Sequence, residues 1–178
     1  MTTDPLIEAA LARRARKAPK PPHDGDSWEA EVDRQFKRLR DAGRILSVHR
    51  NHPPWRQVGK AKKGVIPVRL MGTGAPDWDV VVPGALIRGD DKFTQRKSFP
   101  LVNVKDHQAE SLDAWALGGG YPVLLVCARD RRWVLDWRKV SPFFWDVGTA
   151  SLSPGEMGSM GGEFDDDWLT VWESTCRT

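Results

Sequence analysis

The spacing of apolar and polar residues predicts two helices. The first is predicted over 27–42, because its apolar residues recur every three or four positions: Trp28, Val32, Phe36 and Leu39. Ser27 is a residue type that caps a helix N-terminus, and Gly43 is one that ends a helix. The second is predicted over 104–117 and ends at Gly118, with its inward-facing residues taken to be Leu112, Trp115 and Ala116.

A β-hairpin is predicted between the two helices. Residues 78–82 form a largely β-branched run, Pro83-Gly84 breaks it, and a second apolar run follows. If Pro83-Gly84 is a two-residue tip, each facing pair of residue numbers sums to 167, so Asp77 falls opposite Asp90. Pro-Gly prefers turn types that splay hairpin strands, so a longer loop stays open; a one-residue slip would move Asp77 to the other face.

Further strands are predicted on both sides of this hairpin. A short strand is expected over 44–48, and the continuous apolar run 121–127 suggests a central strand, followed by a strand over 133–137. Residues 147–163 are rich in Gly, Ser and Met and are interpreted as a linker. The acidic end, 163–173, is expected to fold back on a basic face or to contact a partner.

The hairpin register places candidate catalytic residues on one face of the sheet. Asp77 and Asp90 would face each other, with Lys92 on the same face because strand side chains alternate. Facing carboxylates repel unless a cation lies between them or one is protonated, and oxygen ligands of this kind suit Mg²⁺. The alternative is that Asp77, Asp79, Asp90 and Asp91 are ordinary acids of turns and strand ends.

The sequence around these acids resembles a known nuclease superfamily. Pro76-Asp77 followed by Asp90-Asp91-Lys92 is similar to the active-site signature of the PD-(D/E)xK nucleases. The stretch from Ser98-Phe99-Pro100-Leu101 to His107-Gln108 resembles, within that superfamily, the segment after the catalytic strand of RecU-type Holliday-junction resolvases. The resemblance spans roughly residues 25–146, with Gly25 to Glu29 similar to the start of the family's first helix.

This resemblance implies a fold and a set of site residues. The fold would be α/β, a restriction-endonuclease-like mixed sheet flanked by helices, with a short protruding stalk over about 57–75. Metal ligands would be Asp77, Asp90 and Asp91, the last mainly through its backbone carbonyl, and the metal Mg²⁺, with Mn²⁺ expected to substitute. Other catalytic roles would fall to Lys92, Glu29, Thr94 and Gln108. Two departures stand out: Asp90 replaces the usual glutamate, and Asp91 replaces a small residue.

The charge distribution points to a polyanionic partner. Residues 1–63 carry 15 Lys and Arg against 8 Asp and Glu, whereas residues 148–178 carry 1 against 6. Residues 1–24 are interpreted as a mobile basic arm that follows a phosphate backbone, or as a terminus without function. The candidate DNA-binding residues are Arg13, Arg14, Arg16, Lys17, Arg56, Lys60, Lys62, Lys63, Arg96 and Lys97.

Composition limits the cellular location expected for the protein. No apolar run is long enough to span a membrane, and the N-terminus lacks a hydrophobic signal region. With the resemblance, the location expected is the cytoplasm of a bacterium, or of the host if a phage encodes the chain. Cys127 and Cys176 are interpreted as reduced thiols. The chain is therefore expected to be one nuclease domain over 25–146 with a linker and an acidic tail over 147–178.

The resulting hypothesis is a Mg²⁺-dependent endodeoxyribonuclease that resolves four-way DNA junctions by paired symmetric nicks. Since one site makes one nick, a C₂ homodimer is implied. Two alternatives remain open: a less selective PD-(D/E)xK nuclease of the flap, restriction-like or end-processing kind, and a DNA-binding protein that does not cut.

Overall fold

The structure, a computed structural model, describes residues 24–51, 55–57, 68–70, 75–146 and 148–177. The helices of the described residues are α1 (Gly25–Asp41), α2 (Asp106–Leu117), α3 (Trp137–Trp145), α4 (Pro154–Met160) and α5 (Trp168–Thr175), with a 3₁₀ turn at Leu101–Asn103. The strands are β1 (Ser47–Arg50), β2 (Trp55–Gln57), β3 (Val68–Leu70), β4 (Trp78–Val82), β5 (Ala85–Thr94), β6 (Phe99–Pro100), β7 (Tyr121–Ala128), β8 (Arg131–Asp136), β9 (Ser151–Leu152) and β10 (Gly161–Phe164).

A six-stranded sheet organises the chain, in the order β1-β4-β5-β7-β8-β10. β5 and β7 run parallel, and the other neighbours run antiparallel. The predicted α/β class, with a mixed sheet flanked by helices, is therefore confirmed. β7 lies between β5 and β8, as its continuous apolar run predicted, and it is almost entirely buried. No helix in the described ranges is long and apolar enough to cross a bilayer.

Two apolar cores lie against the sheet, and each contains side chains of β7. The first joins α1 and α5 to one set of strand residues and contains Trp28, Phe36, Trp78 and Trp168. The second joins α2, α3 and α4 to the alternate set and contains Leu112, Leu124, Trp137 and Met157. Because alternate residues of β7 enter different cores, both layers must pack for this central strand to be covered.

The hairpin register is the one that the spacing predicts. Val82 pairs with Ala85, Val80 with Ile87, and Trp78 with Gly89, so each pair sums to 167. Gly84 has a positive φ of 76°, which glycine adopts without steric cost. The tip is thus two residues long, and the one-residue slip does not occur.

The ends of α1 correct one prediction. Asp24, not Ser27, is the N-cap, and Ser27 is the third helical residue whose side chain completes a capping box. Gly43 lies just beyond the helix with φ 71°, as predicted for a terminating glycine. The amides of Gly43 and Arg44 bond back to Arg40 and Leu39. This closing turn uses the residues expected to start a strand, so β1 begins at Ser47 rather than at 44.

The second helix is shorter than predicted. It starts at Asp106 because the 3₁₀ turn at Leu101–Asn103 occupies the preceding residues. Leu112 is buried as predicted, whereas Trp115 and Ala116 are half-buried. The indole of Trp115 lies under the guanidinium of Arg88, at 4.1 Å from ring centroid to Cζ.

The C-terminal segment belongs to the fold, in contrast to the predicted linker and tail. Residues 148–177 supply β9, α4, β10 and α5, and β10 is the edge strand beside β8. Met157, Met160, Trp168 and Trp172 are buried. The acidic residues do meet basic ones, because Arg44 contacts both Asp167 and Glu173.

Two predicted features lie outside the described residues. The basic arm falls there with Arg13, Arg14, Arg16 and Lys17, and so do the stalk lysines Lys60, Lys62 and Lys63. Of the stalk region, the structure gives the antiparallel pairing of β2 with β3, which brackets residues 58–67. Arg56 lies in β2.

Candidate active site

Four predicted site residues converge on the face of the sheet that α2 covers. Asp77 immediately precedes β4, Asp90 and Lys92 lie on β5, and Gln108 lies in the first turn of α2. Asp90 and Lys92 share a face because they are two residues apart on one strand. Gln108 reaches them because α2 packs over β5 and β7. Residues from three separate segments thus form one polar cluster.

Asp90 is the centre of this cluster and is fully buried. One carboxylate oxygen, Oδ2, is ion-paired with the Lys92 ammonium, and the other, Oδ1, accepts a hydrogen bond from Gln108 Nε2 at 2.9 Å. The amide oxygen of Gln108 in turn accepts from Lys92 Nζ at 3.1 Å and from the Lys105 backbone N–H at 3.1 Å. Gln108 therefore holds both the acid and the lysine in place.

Asp77 completes the acidic pair. Its Oδ2 accepts a hydrogen bond from the backbone N–H of Asp91 at 2.8 Å, which fixes its carboxylate beside the β5 backbone. Burial raises the pKa of Asp90 to about 7; the ammonium of Lys92 opposes this shift, and the negative charge of Asp77 adds to it. Two carboxylates crowded in this way present a site where a cation would relieve repulsion.

The donor set fits a hard divalent cation. Mg²⁺ takes one or two carboxylates and fills its remaining positions with water or phosphate oxygens. Within the described residues, no group of three or more His, Cys, Asp or Glu side chains is arranged to hold a metal. Asp77 and Asp90 would hold such a cation as a carboxylate pair, which leaves most of its coordination positions to water and substrate.

Asp91 faces the opposite way, as strand alternation requires. Its side chain is fully buried on the α1 side, where Oδ2 accepts from Arg50 Nη1 and Oδ1 from Trp78 Nε1, both at 2.7 Å. Burial raises its pKa to about 6, and the contacts with Arg50 and Trp78 oppose that shift. The Asp91 carboxylate is thus separate from the Asp77–Asp90 pair, and only its backbone is shared with it.

The remaining predicted residues lie at different distances from the cluster. Thr94 is buried at the end of β5, where its hydroxyl accepts from the Arg96 backbone N–H at 3.2 Å. Arg96 and Lys97 follow it and are exposed. Glu29 is exposed on α1, which packs on the other face of the sheet, and its side chain makes no hydrogen bond or ion pair with other described residues. The structure therefore brings Gln108, but not Glu29, to the acids.

Sequence reasoning missed the residues behind the site. Arg50 contacts Asp91 on its buried side, and Asp33 in turn accepts hydrogen bonds from Arg50. No spacing rule connects positions this far apart in the chain. The available signal was indirect. If Asp90 faces one side of β5, Asp91 must face the other, and a buried carboxylate needs partners there.

A cavity of about 760 Å³ opens beside α2. Its basic lining residues are Arg96, Lys105 and His107, and its apolar and aromatic walls include Leu101, Val104 and Phe144. The wall also carries Asp106 and Asp146. Lys105 joins this cavity to the site, because its backbone bonds the same Gln108 oxygen that contacts Lys92.

Comparisons with known proteins give little further information. No protein-family model and no curated protein matches the sequence. Among solved structures, the chain is similar to Hjc of Archaeoglobus fulgidus, described as a Holliday junction resolvase from an archaeal hyperthermophile. The two are 12% identical, the match covers 85% of this chain and 93% of that chain, and the TM-score is 0.42. A likeness of that strength carries no argument about function.

Proposed function

We propose that the protein is a Mg²⁺-dependent endodeoxyribonuclease that resolves four-way DNA junctions by paired nicks. The observation that supports this most is the convergence of Asp77, Asp90 and Lys92 with Gln108 on one sheet face. These are the residues that the resemblance to RecU-type resolvases picks out, and they come from separate segments of the chain. Ordinary acids of turns and strand ends would not be expected to cluster with a lysine and a glutamine from other segments.

Each side chain has a distinct task in this proposal. Asp77 and Asp90 hold the metal, together with the backbone carbonyl of Asp91. When bound, Mg²⁺ or Mn²⁺ supplies charge that polarises the scissile phosphate and eases departure of the 3′ oxygen. Lys92 orients the attacking water and stabilises the negative charge that develops on the phosphate. Gln108 keeps the Lys92 ammonium pointed at the site through its 3.1 Å hydrogen bond.

Selectivity for a junction follows from symmetry in this proposal. The Asp77–Asp90 cluster of one chain would make one nick, whereas resolution requires two nicks in strands related by a two-fold axis. A C₂ homodimer on a four-way junction meets that requirement. Thr94 is assigned to the scissile phosphate, whereas Glu29, exposed on α1 at the other face of the sheet, is given no role.

An assay on three substrates tests the function. Purified protein is incubated with a labelled four-way junction, a linear duplex and a flap, each with Mg²⁺ or with EDTA. We expect paired symmetric nicks in the junction that require Mg²⁺. Equal cutting of the linear duplex would replace resolution with a less selective nuclease. Binding of the junction without any cutting would instead indicate a DNA-binding protein.

The basic rim of the cavity is proposed to follow the DNA backbone. Arg96 and Lys105 line the cavity, and Lys105 adjoins the site. Each phosphate contact releases counterions, with a slope of about 0.9 in log K against log salt per contact. We expect the double variant Arg96→Ala/Lys105→Ala to lower that slope by about 2, measured in EDTA on a labelled junction.

The matched control is Lys37→Ala, an exposed lysine of α1 on the far side of the sheet. Its salt slope should equal that of the wild type. If the double variant also keeps the wild-type slope, the DNA does not follow this cavity.

A further inference from the structure

We infer that Asp91, Trp78 and Arg50 act as positioning residues for the metal-binding pair. We call these three the back-face clamp, since they lie on the α1 side of the sheet while Asp77 and Asp90 face the α2 side. The inference rests on the proposed function, because it assigns the clamp the task of setting how far apart the two carboxylates are held.

Two of the clamp residues are direct sequence neighbours of the two proposed metal ligands. Trp78 follows Asp77 directly, and Asp91 follows Asp90 directly. The Trp78 indole N–H donates to Asp91 Oδ1 at 2.7 Å, and both side chains are fully buried. This hydrogen bond ties β4 to β5 one residue beyond each proposed ligand. A change in its length would alter the separation of the two ligands.

Gly89 allows the Trp78 indole to lie directly against the backbone of β5. It pairs with Trp78 across the hairpin, and a Cβ built on it would lie 2.2 Å from atoms of the indole ring. The ring therefore covers the backbone immediately before Asp90. Because Phe36 and Trp168 pack on the same indole, at centroid distances of 5.1 and 5.7 Å, the ring is held in place from the core side.

Arg50 closes the clamp from β1. Its Nη1 donates to Asp91 Oδ2 at 2.7 Å, while Nε and Nη2 donate to Asp33 Oδ1 at 2.8 and 2.6 Å. Its guanidinium also lies over the Phe36 ring, 5.3 Å from the centroid. Both oxygens of the Asp91 carboxylate are thereby occupied, so its side chain has one defined orientation.

One hydrogen bond passes directly from the clamp to the pair. The Asp91 backbone N–H donates to Asp77 Oδ2 at 2.8 Å, so the residue whose side chain is clamped also orients a proposed ligand. Stability alone does not account for a buried ion pair here, because apolar residues of similar volume are often as stabilising. Groups that orient metal ligands from behind commonly change metal affinity by about 10- to 100-fold when they are removed.

The test measures metal binding rather than cleavage. Wild-type protein, Asp91→Asn, Trp78→Phe and Asp33→Asn are titrated with Mn²⁺ alone, and bound Mn²⁺ is read by electron paramagnetic resonance without DNA. We expect Asp91→Asn to weaken Mn²⁺ binding about tenfold. Trp78→Phe, which loses the indole N–H donor and part of the ring, should weaken it in the same direction. Asp33→Asn touches only the exposed side of Arg50 and should bind as the wild type does.

Circular dichroism at the same temperature shows which variants are folded. If Asp91→Asn does not fold, the Mn²⁺ affinity of folded Trp78→Phe tests the clamp instead. Folded clamp variants with wild-type Mn²⁺ affinity would overturn the clamp while leaving the proposed function in place. Wild-type protein that binds no Mn²⁺ would overturn the proposed function and the clamp together.

Discussion

Replacing Asp90 with asparagine is expected to abolish cleavage of a four-way junction, with a rate loss of about three orders of magnitude. Losing a charged metal ligand removes several kcal/mol of charge stabilisation, and about 4 kcal/mol corresponds to roughly a thousandfold in rate. Asparagine preserves the volume of the buried side chain and can still accept from Gln108 Nε2. Junction binding in EDTA should therefore stay within about twofold of wild type, as measured by gel shift.

Asp79→Asn is the matched control for this prediction. Asp79 lies two residues along β4 from Asp77, on the same face of the sheet, and pairs with Arg88 at 2.7 Å rather than with the cluster. We expect it to cut at close to the wild-type rate. Retained cleavage by Asp90→Asn would refute the metal assignment, whereas equal loss in both variants would point to general damage of the sheet.

Trp168→Ala is expected to lower the free energy of unfolding by about 3–5 kcal/mol, the usual range for truncating a buried large aromatic residue. Trp168 is fully buried, and its ring packs against Phe36 and Trp78, with centroids 6.0 and 5.7 Å away. Since domains are stable by about 5–15 kcal/mol in total, this loss should be visible as a large drop in the urea midpoint.

Trp145→Ala provides the comparison within the same residue type. Trp145 is 49% exposed, and its indole N–H donates to Asp113 Oδ2 at 2.8 Å. Its removal should cost less than that of Trp168, because about half of the Trp145 side chain already faces solvent and its hydrogen bond contributes about 0.5–1.5 kcal/mol. If the two variants unfold at the same urea concentration, the C-terminal helix does not complete the core as the structure indicates.

Local rules predicted the hairpin and through it the centre of the site. A two-residue tip at Pro83-Gly84 fixes the register by arithmetic as far as Trp78 opposite Gly89, and Asp77 and Asp90 follow as close neighbours. The same alternation implies that Asp91 faces away from Asp90. Strand alternation does not identify the residues that contact Asp91 on the α1 side of the sheet. Arg50 reaches Asp91 from a strand 41 positions earlier, and only the packed sheet brings them together.

The C-terminal segment shows where composition misleads. Its glycines and serines suggested a linker, yet Gly161 is required by close packing, because a Cβ there would lie 1.9 Å from the Val134 carbonyl oxygen. The methionines of this segment, Met157 and Met160, are buried in the second core. A short glycine-containing strand at a sheet edge has no periodic pattern of its own, so its pairing with β8 is decided by contacts distant in sequence.

The position of α5 in the first core has a consequence for biosynthesis. Ribosomes add about 5–20 residues per second, and domains generally fold as units. Asp77, Asp90 and the hairpin between them are made well before Trp168, whose ring packs on the indole next to Asp77. A nascent chain that ends before Trp168 therefore carries both acids without the packed core that fixes them. Under the proposed function, cleavage should therefore arise only once α5 has left the ribosome.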